Sequence, residues 1–157
     1  MSTLPDTDAV MIIADSESDA DMLYASGLFA PDAYTYIEQD GKKTILMSDL
    51  EIDRARVQSK ADEVLSLTVY TKRAEDRSGE KSQFMDAVAE LLNEKKIHAL
   101  LVPNRFPTGY ADQLRERGFT VQAKADPFWN QRPMKTADEV AAIAEASRHT
   151  ESAIRVA

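Results

Sequence analysis

Four acids, Asp15, Glu17, Asp19 and Asp21, alternate with small residues directly after an apolar run, and carboxylates at that spacing could begin a calcium loop. Such a loop needs glycine at its sixth position and a closing glutamate at its twelfth. Ala20 and Ser26 stand there instead, so the acids read as the start of a helix, with Ser18 or Asp19 as its cap and the carboxylates opposing the macrodipole. Histidine offers no better metal site: His98 and His149 are 51 residues apart and neither lies in an HExxH pattern. The absence of cysteine excludes disulfides, thiolate ligands and a thiol nucleophile, and fits a reducing, cytoplasmic compartment. Glycines occur only at 27, 41, 79, 109 and 118. Dinucleotide fingerprints, P-loops and nucleophile elbows need glycines two to five apart, because backbone must approach phosphate or turn sharply, so none of them can be built locally.

The side chains left with something to offer fall in two places. Phe106 and Tyr110 follow the end of an expected strand, where α/β proteins carry binding loops. Phe128 and Trp129 sit in an irregular connection, where aromatics can anchor an interface, and the bases Arg132 and Lys135 come directly after. These six are the candidate cleft or subunit contacts. His98 is expected to be partly buried at a strand start and His149 exposed on a polar helix. No pair of carboxylates stands out from the solvated ones, so no catalytic residue, metal ligand or cofactor is expected within this chain.

The elements that must position these residues follow from periodicity and punctuation. Residues 10–14 form a short buried strand, followed by a helix that turns Met22 and Leu23 inward and stops at Gly27. Asp40-Gly41 between two β-rich runs, 34–38 and 43–47, predicts an antiparallel hairpin. A short helix over 49–56, a strand over 64–70 and a polar loop over 73–81 come next. A helix over 80–96 with Phe84, Val88, Leu91 and Leu92 inward leads to a strand over 99–102. Thr108 opens a helix that ends before Gly118, and residues 119–123 alternate as a strand with one solvated face. After the proline-flanked connection 126–133, Thr136 and Glu139 form a capping box for a helix running to Ala157. Its stripe of Val140, Ile143, Ala146, Thr150, Ala153 and Ala157, with Ile154 beside it, is modestly apolar. The alternation of strands and helices after the hairpin predicts an α/β fold, a three-layer domain with a mixed β-sheet flanked by helices.

The chain has 157 residues, 43% hydrophobic and 29% charged, which is one domain of ordinary composition. Its net charge of −8 is uneven: residues 1–53 hold twelve acids and two bases. Without a basic stripe to release counterions, nucleic acid is a poor partner. No apolar run is long enough to cross a bilayer, and residues 1–8 are acidic where a signal peptide would be basic, so no membrane partner is expected.

Three motifs, in order, resemble a known family. Leu23-Tyr24-Ala25-Ser26-Gly27-Leu28 is similar to the Tyr-x-Ser/Thr-Gly element near the start of creatinase and prolidase N-terminal domains. Asp49-Leu50-Glu51 with Arg54-Ala55 resembles their next landmark. Most specific is the run from Arg132 through Lys135, Thr136, Glu139, Ile143 and Ala146, which looks like the Arg-x-x-Lys-Ser/Thr-x-x-Glu-Ile-x-x-Ile-x-x-Ala signature opening the helix that joins that family's two domains. The likeness spans nearly the whole chain. It implies a creatinase N-terminal-like fold with a ribonuclease H-like motif over 1–126, and a connector with the start of the interdomain helix over 127–157.

It further implies an accessory role in a creatinase, prolidase or Xaa-Pro aminopeptidase relative: subunit contacts in a homodimer and one wall of the active-site cleft, inactive alone. The chemistry of those peptidases resides in a C-terminal pita-bread domain, where two aspartates, a histidine and two glutamates hold two divalent metals, manganese, cobalt or zinc. No residue here matches that set, so none is carried over. The creatinase branch works without metals. The other reading is a free-standing ligand-binding or receiver-like signalling domain built on Asp15, for which Lys124 would be the partner lysine and is poorly placed.

Overall fold

Alternation of apolar residues makes one sheet of six strands, and the helices between them cover its two faces. The structure, a computed structural model, describes residues 7–156, so the acidic start of the chain and Ala157 lie outside the described residues. The strands are β1 (Ala9–Ala14), β2 (Tyr34–Gln39), β3 (Lys42–Met47), β4 (Glu63–Ser66), β5 (Ala99–Pro103) and β6 (Thr120–Lys124). The helices are α1 (Ala20–Ser26), α2 (Ile52–Gln58), α3 (Leu67–Ser78), α4 (Phe84–Glu94), α5 (Thr108–Glu116) and α6 (Ala137–Val156). Strand order is β4-β3-β2-β1-β5-β6. The hairpin β2/β3 and the β1/β2 pair are antiparallel, whereas β3/β4, β1/β5 and β5/β6 are parallel. The mixed sheet and three layers are as expected from the sequence.

Local signals fix most boundaries. Asp40 and Gly41 both have positive φ, 51° and 77°, the pair a two-residue primed turn requires. Asp19 caps α1 by accepting the amides of Asp21 and Met22, and Gly27 ends it in the left-handed region at φ 65°. Met22 is buried as expected, but Leu23 is 38% exposed, on the outer side of α1.

The segment expected as a strand over 64–70 divides at Ser66. The Ser66 hydroxyl accepts the amide of Val69, and the chain turns into α3, which also takes up the stretch expected as a polar loop. Propensity favoured a strand for Thr68, Val69 and Tyr70, but packing against α4 overrides it. Tyr70 and Ala74, four apart, are buried there; the Tyr70 hydroxyl donates to Glu94, and Arg77 pairs with the largely buried Glu90 at 2.8 Å. Burial and the Glu94 carboxylate push the Tyr70 phenol up to about 12.

One face of the sheet packs Met11, Ile13, Ile37 and Leu100 against α4 and α5. The other packs Ile12, Tyr34, Tyr36 and Ile45 under α1, α2 and Phe128. Packing therefore continues past residue 126, since Phe128 is 3% exposed. Beyond the connector, every residue of α6 whose side chain is described is exposed.

A chain ending after Lys135 keeps all of this packing and should unfold cooperatively in urea at an unchanged midpoint, whereas one ending at Asp126 loses Phe128 and should be weaker by at least about 3 kcal/mol. Equal midpoints would mean that the connector does not belong to the core. A second expectation concerns Asp86. The Gln83 amide, followed by Arg117, with Nη2 2.6 Å away, holds its carboxyl below the ordinary 3.8. A lowered folded value contributes stability in full above the unfolded value and loses it as pH falls through the folded one. Asp86→Asn should therefore lower stability at pH 7 and flatten the acid limb of a stability–pH curve; an unchanged acid limb would contradict it.

Candidate functional site

The connection leaving β1 passes to the α1 face and the one leaving β5 passes to the α5 face, so a crevice opens between these adjacent parallel strands at their carboxyl ends. It has a volume of about 340 Å³, and its lining includes Asp15, Asp19, Arg105, Phe106 and Tyr110. Its charged groups are already engaged. Asp15 accepts the Ser18 amide at 2.7 Å and the Ser18 hydroxyl at 2.8 Å, bonds that hold its carboxyl below the ordinary range. Asp19 caps α1, and Arg105 lies 3.8 Å from Asp19. Among the described residues no three His, Asp or Glu side chains converge in a way that could hold a metal. Lys124, the lysine a receiver would need, donates instead to the Phe128 carbonyl at 2.6 Å. The crevice thus has a ligand site's location without an uncommitted acid, base or nucleophile.

Beside it lies a buried charge cluster. The carboxylate of Asp21, in the first turn of α1, is fully buried. Arg132 Nε stands 2.9 Å from Oδ1 and Arg105 Nη2 3.6 Å from Oδ2, charge contacts in which neither oxygen receives a well-aligned hydrogen bond. The Trp129 indole N–H donates to the Asp21 carbonyl at 3.1 Å. Three distant segments, α1, the β5–α5 loop and the connector, meet at this one side chain.

Below it, on the α1/α2 face, a groove of about 460 Å³ separates the sheet from the connector and the start of α6. Tyr24, Tyr36 and Trp129 form its aromatic floor, with Trp129 edge-on to Tyr36 at 6.4 Å between centroids. Lys43 and Lys60 line it together with Glu38 and Glu139. The Tyr36 hydroxyl donates to Glu38 at 2.8 Å, and burial raises its pKa far above the ordinary 10.0. The Lys60 ammonium lies over the Tyr24 ring, 5.8 Å from its centre.

Of the six residues singled out from sequence, Phe106 and Tyr110 share the crevice, with Phe106 buried in the core beneath it. Phe128, Trp129 and Arg132 belong to the second assembly, in which Phe128 is a core residue and Trp129 reaches the groove. Lys135 is exposed and donates to the Arg132 carbonyl at 2.6 Å. His98, expected to be partly buried, is exposed, because the strand it precedes begins one residue later and only its backbone is held, by Asp8. His149 is exposed, as expected. Sequence reasoning missed Asp21 and Arg105. An acid in a first turn reads as a macrodipole partner, and nothing local indicates that a connector more than a hundred residues later will bury it.

No protein-family model and no curated protein sequence matches the chain. Solved structures do. The X-Pro aminopeptidase from Thermotoga maritima superposes with a TM-score of 0.74 at 16% identity, over 94% of this chain and 39% of its own. The prolidase from Pyrococcus horikoshii matches with a TM-score of 0.67 at 17% identity, over 95% and 37%. A proline dipeptidase from Streptococcus pneumoniae matches with a TM-score of 0.56 at 11% identity, over 82% of this chain and 89% of the solved one. The chain thus spans about two fifths of the first two structures. At these identities the likeness establishes the fold, which is the one the three sequence motifs implied.

Arg132→Ala strands the fully buried Asp21 carboxylate without its nearest counter-charge and should cost about 3–5 kcal/mol in urea unfolding, whereas Arg105→Ala, which removes a half-exposed guanidinium, should cost about 1 kcal/mol or less. Equal losses would mean that Asp21 does not hold the connector.

Proposed function

We propose that this chain is the N-terminal accessory domain of a cytoplasmic, proline-specific metallopeptidase of the Xaa-Pro dipeptidase or aminopeptidase class. In this reading it contributes subunit contacts and one wall of the active-site cleft, and has no activity alone. The observation that carries the proposal is α6: twenty residues of capped helix whose described side chains all face solvent, on a fold that spans about two fifths of two solved peptidases. In proteins most of a helix's stability comes from packing an apolar face against the rest of the fold, and α6 has no such packing among the described residues. Val140 and Ile143 are each 53% exposed and Ile154 70%. In the proposed parent, that stripe packs against the catalytic domain.

The paired divalent metals of such a peptidase do not fit the residues of this chain, because no donor set converges among the described residues. In this reading the metals and the hydrolytic step belong to the other domain. Of the side chains singled out from sequence, Tyr110 and Trp129 are available to face a cleft, Phe106 being buried beneath the crevice; Arg132 holds the connector from which α6 departs, and Lys135 bonds within that connector.

The test compares the chain with the longer product of its reading frame. The longer protein should bind divalent metal and turn over Ala-Pro or Gly-Pro, and the chain alone should do neither. Hydrogen exchange adds a structural arm. Amides of α6 should exchange rapidly in the isolated chain and be protected in the longer protein. Stoichiometric metal coupled to activity in the chain alone, or a longer protein without peptidase activity, would overturn the proposal.

A further inference from the structure

Two charges in the groove on the α1/α2 face are left unanswered by the chain itself. Lys43 stands directly opposite Glu38 in the β2/β3 hairpin, on the sheet face that carries Tyr36 and Ile45. Opposite charges so placed ordinarily attract each other. Glu38 instead takes the Tyr36 hydroxyl at 2.8 Å, and among the described residues the Lys43 ammonium has neither an ion pair nor a hydrogen bond. Lys42, one residue earlier and on the other face, does have a counter-charge, Glu63 at 3.8 Å. Lys60 comes from the far side of the groove. Its amide donates to the Ser26 carbonyl at 2.7 Å and its stem lies against Gly27, which leads the ammonium over the Tyr24 ring without an acid partner among the described residues. Glu139, the other acid lining the groove, is committed to the Thr136 amide at 2.8 Å, the bond that holds its carboxyl below the ordinary range.

Both acids of the groove thus accept bonds within the chain, while its two ammonium groups keep their donors. An ammonium has three donors and no acceptor, so what these two can receive is an anion. The floor between them selects for shape. The Tyr36 hydroxyl and the Trp129 indole N–H are already bonded, to Glu38 and to the Asp21 carbonyl, so these rings, with Tyr24, offer the groove apolar aromatic surface. A volume of about 460 Å³ falls within the ~300–1,000 Å³ of small-molecule sites. An aromatic floor under a cationic rim fits a flat apolar ring that carries one negative group.

We propose that the groove is a binding site for a small aromatic carboxylate, whose ring lies on the floor of Tyr24, Tyr36 and Trp129 and whose carboxylate is received by Lys43 and Lys60. This goes beyond the accessory-domain reading and does not rest on it, since the site is complete within one copy of the chain and needs no catalytic domain. Tyr36 and Lys43 belong to the sheet, whereas Trp129 belongs to the connector and Glu139 to the first turn of α6. A ligand in the groove therefore touches the sheet and the start of α6 at once.

Trp129 is the only tryptophan of the chain, so its indole N–H gives a single nitrogen–proton NMR signal that reads the groove directly. Titration of the 157-residue chain with 2-naphthoate should move that signal, together with the amides of Thr136 and Glu139, with a Kd of about 1 mM or tighter. The neutral isostere 2-naphthamide and the cation 2-naphthylmethylammonium should bind at least about fivefold more weakly. Lys43→Gln and Lys60→Gln should each weaken 2-naphthoate about fivefold at an unchanged unfolding midpoint, and added salt should weaken it as well. Lys42→Gln, which removes a lysine outside the groove, should bind like the parent. Absence of binding, shifts that map away from Trp129, amide or ammonium probes that bind as tightly as the carboxylate, or Lys43 and Lys60 variants that bind like the parent would each overturn the proposal.

Discussion

Burying a carboxylate takes it out of water at a cost of several kcal/mol, and only a close, retained counter-charge offsets that cost. Asp21 is buried completely, and its nearest counter-charge, Arg132, comes from a connector 111 residues later in the chain. The connector cannot leave without stranding that charge. Its other bonds act in the same direction: the Trp129 indole on the Asp21 carbonyl and Lys124 on the Phe128 carbonyl, while Lys135 on the Arg132 carbonyl shapes the connector itself. A segment whose prolines and polar residues read as a loose linker is therefore part of the folded unit. Since the described side chains of α6 are all exposed, the direction in which it departs is inherited from these bonds.

The same connector compensates for an incomplete layer. α1 and α2 have seven residues each, about 10 Å of helix, too little to roof the face they cover. Phe128 fills part of the gap and Trp129 its edge, but Tyr36 and Glu38 of β2 still line an open groove. On the opposite face α3, α4 and α5 supply 32 helical residues between them, and the layer closes. The difference in helix length is why both the groove and most of the exposed apolar side chains outside α6 lie on one side of the molecule.

What was legible in the sequence was whatever a local rule determines. Asp40-Gly41 fixed the hairpin, Asp19 and Gly27 bounded α1, and Thr136 with Glu139 opened α6, because each depends on a side chain and a backbone amide a few residues apart. The failures came where a distant partner decides. The run around Thr68-Val69-Tyr70 has strand propensity and is helical because α4 packs against it. Asp21 looked like an ordinary first-turn acid until Arg105 and Arg132 were brought to it.

The acidity of residues 1–53 suggests a cation site, yet the fold distributes the acids among separate tasks. Asp8 accepts the amides of His98 and Ala99 and ties β1 to β5. Asp15 closes a turn, Asp19 caps a helix, Asp21 anchors the connector, Glu51 pairs with Arg54 and Asp53 with Arg56. Each of these carboxylates meets an amide, a hydroxyl or a guanidinium where a divalent-cation site would need it to meet other carboxylates around a shared centre. The reason is topological. Most of these acids stand at the start of a helix or in the turn before one, where amides lack partners, and successive helix starts lie apart from one another. A charge balance that looks like metal chemistry when summed along the sequence is, residue by residue, the means by which short elements are held in position.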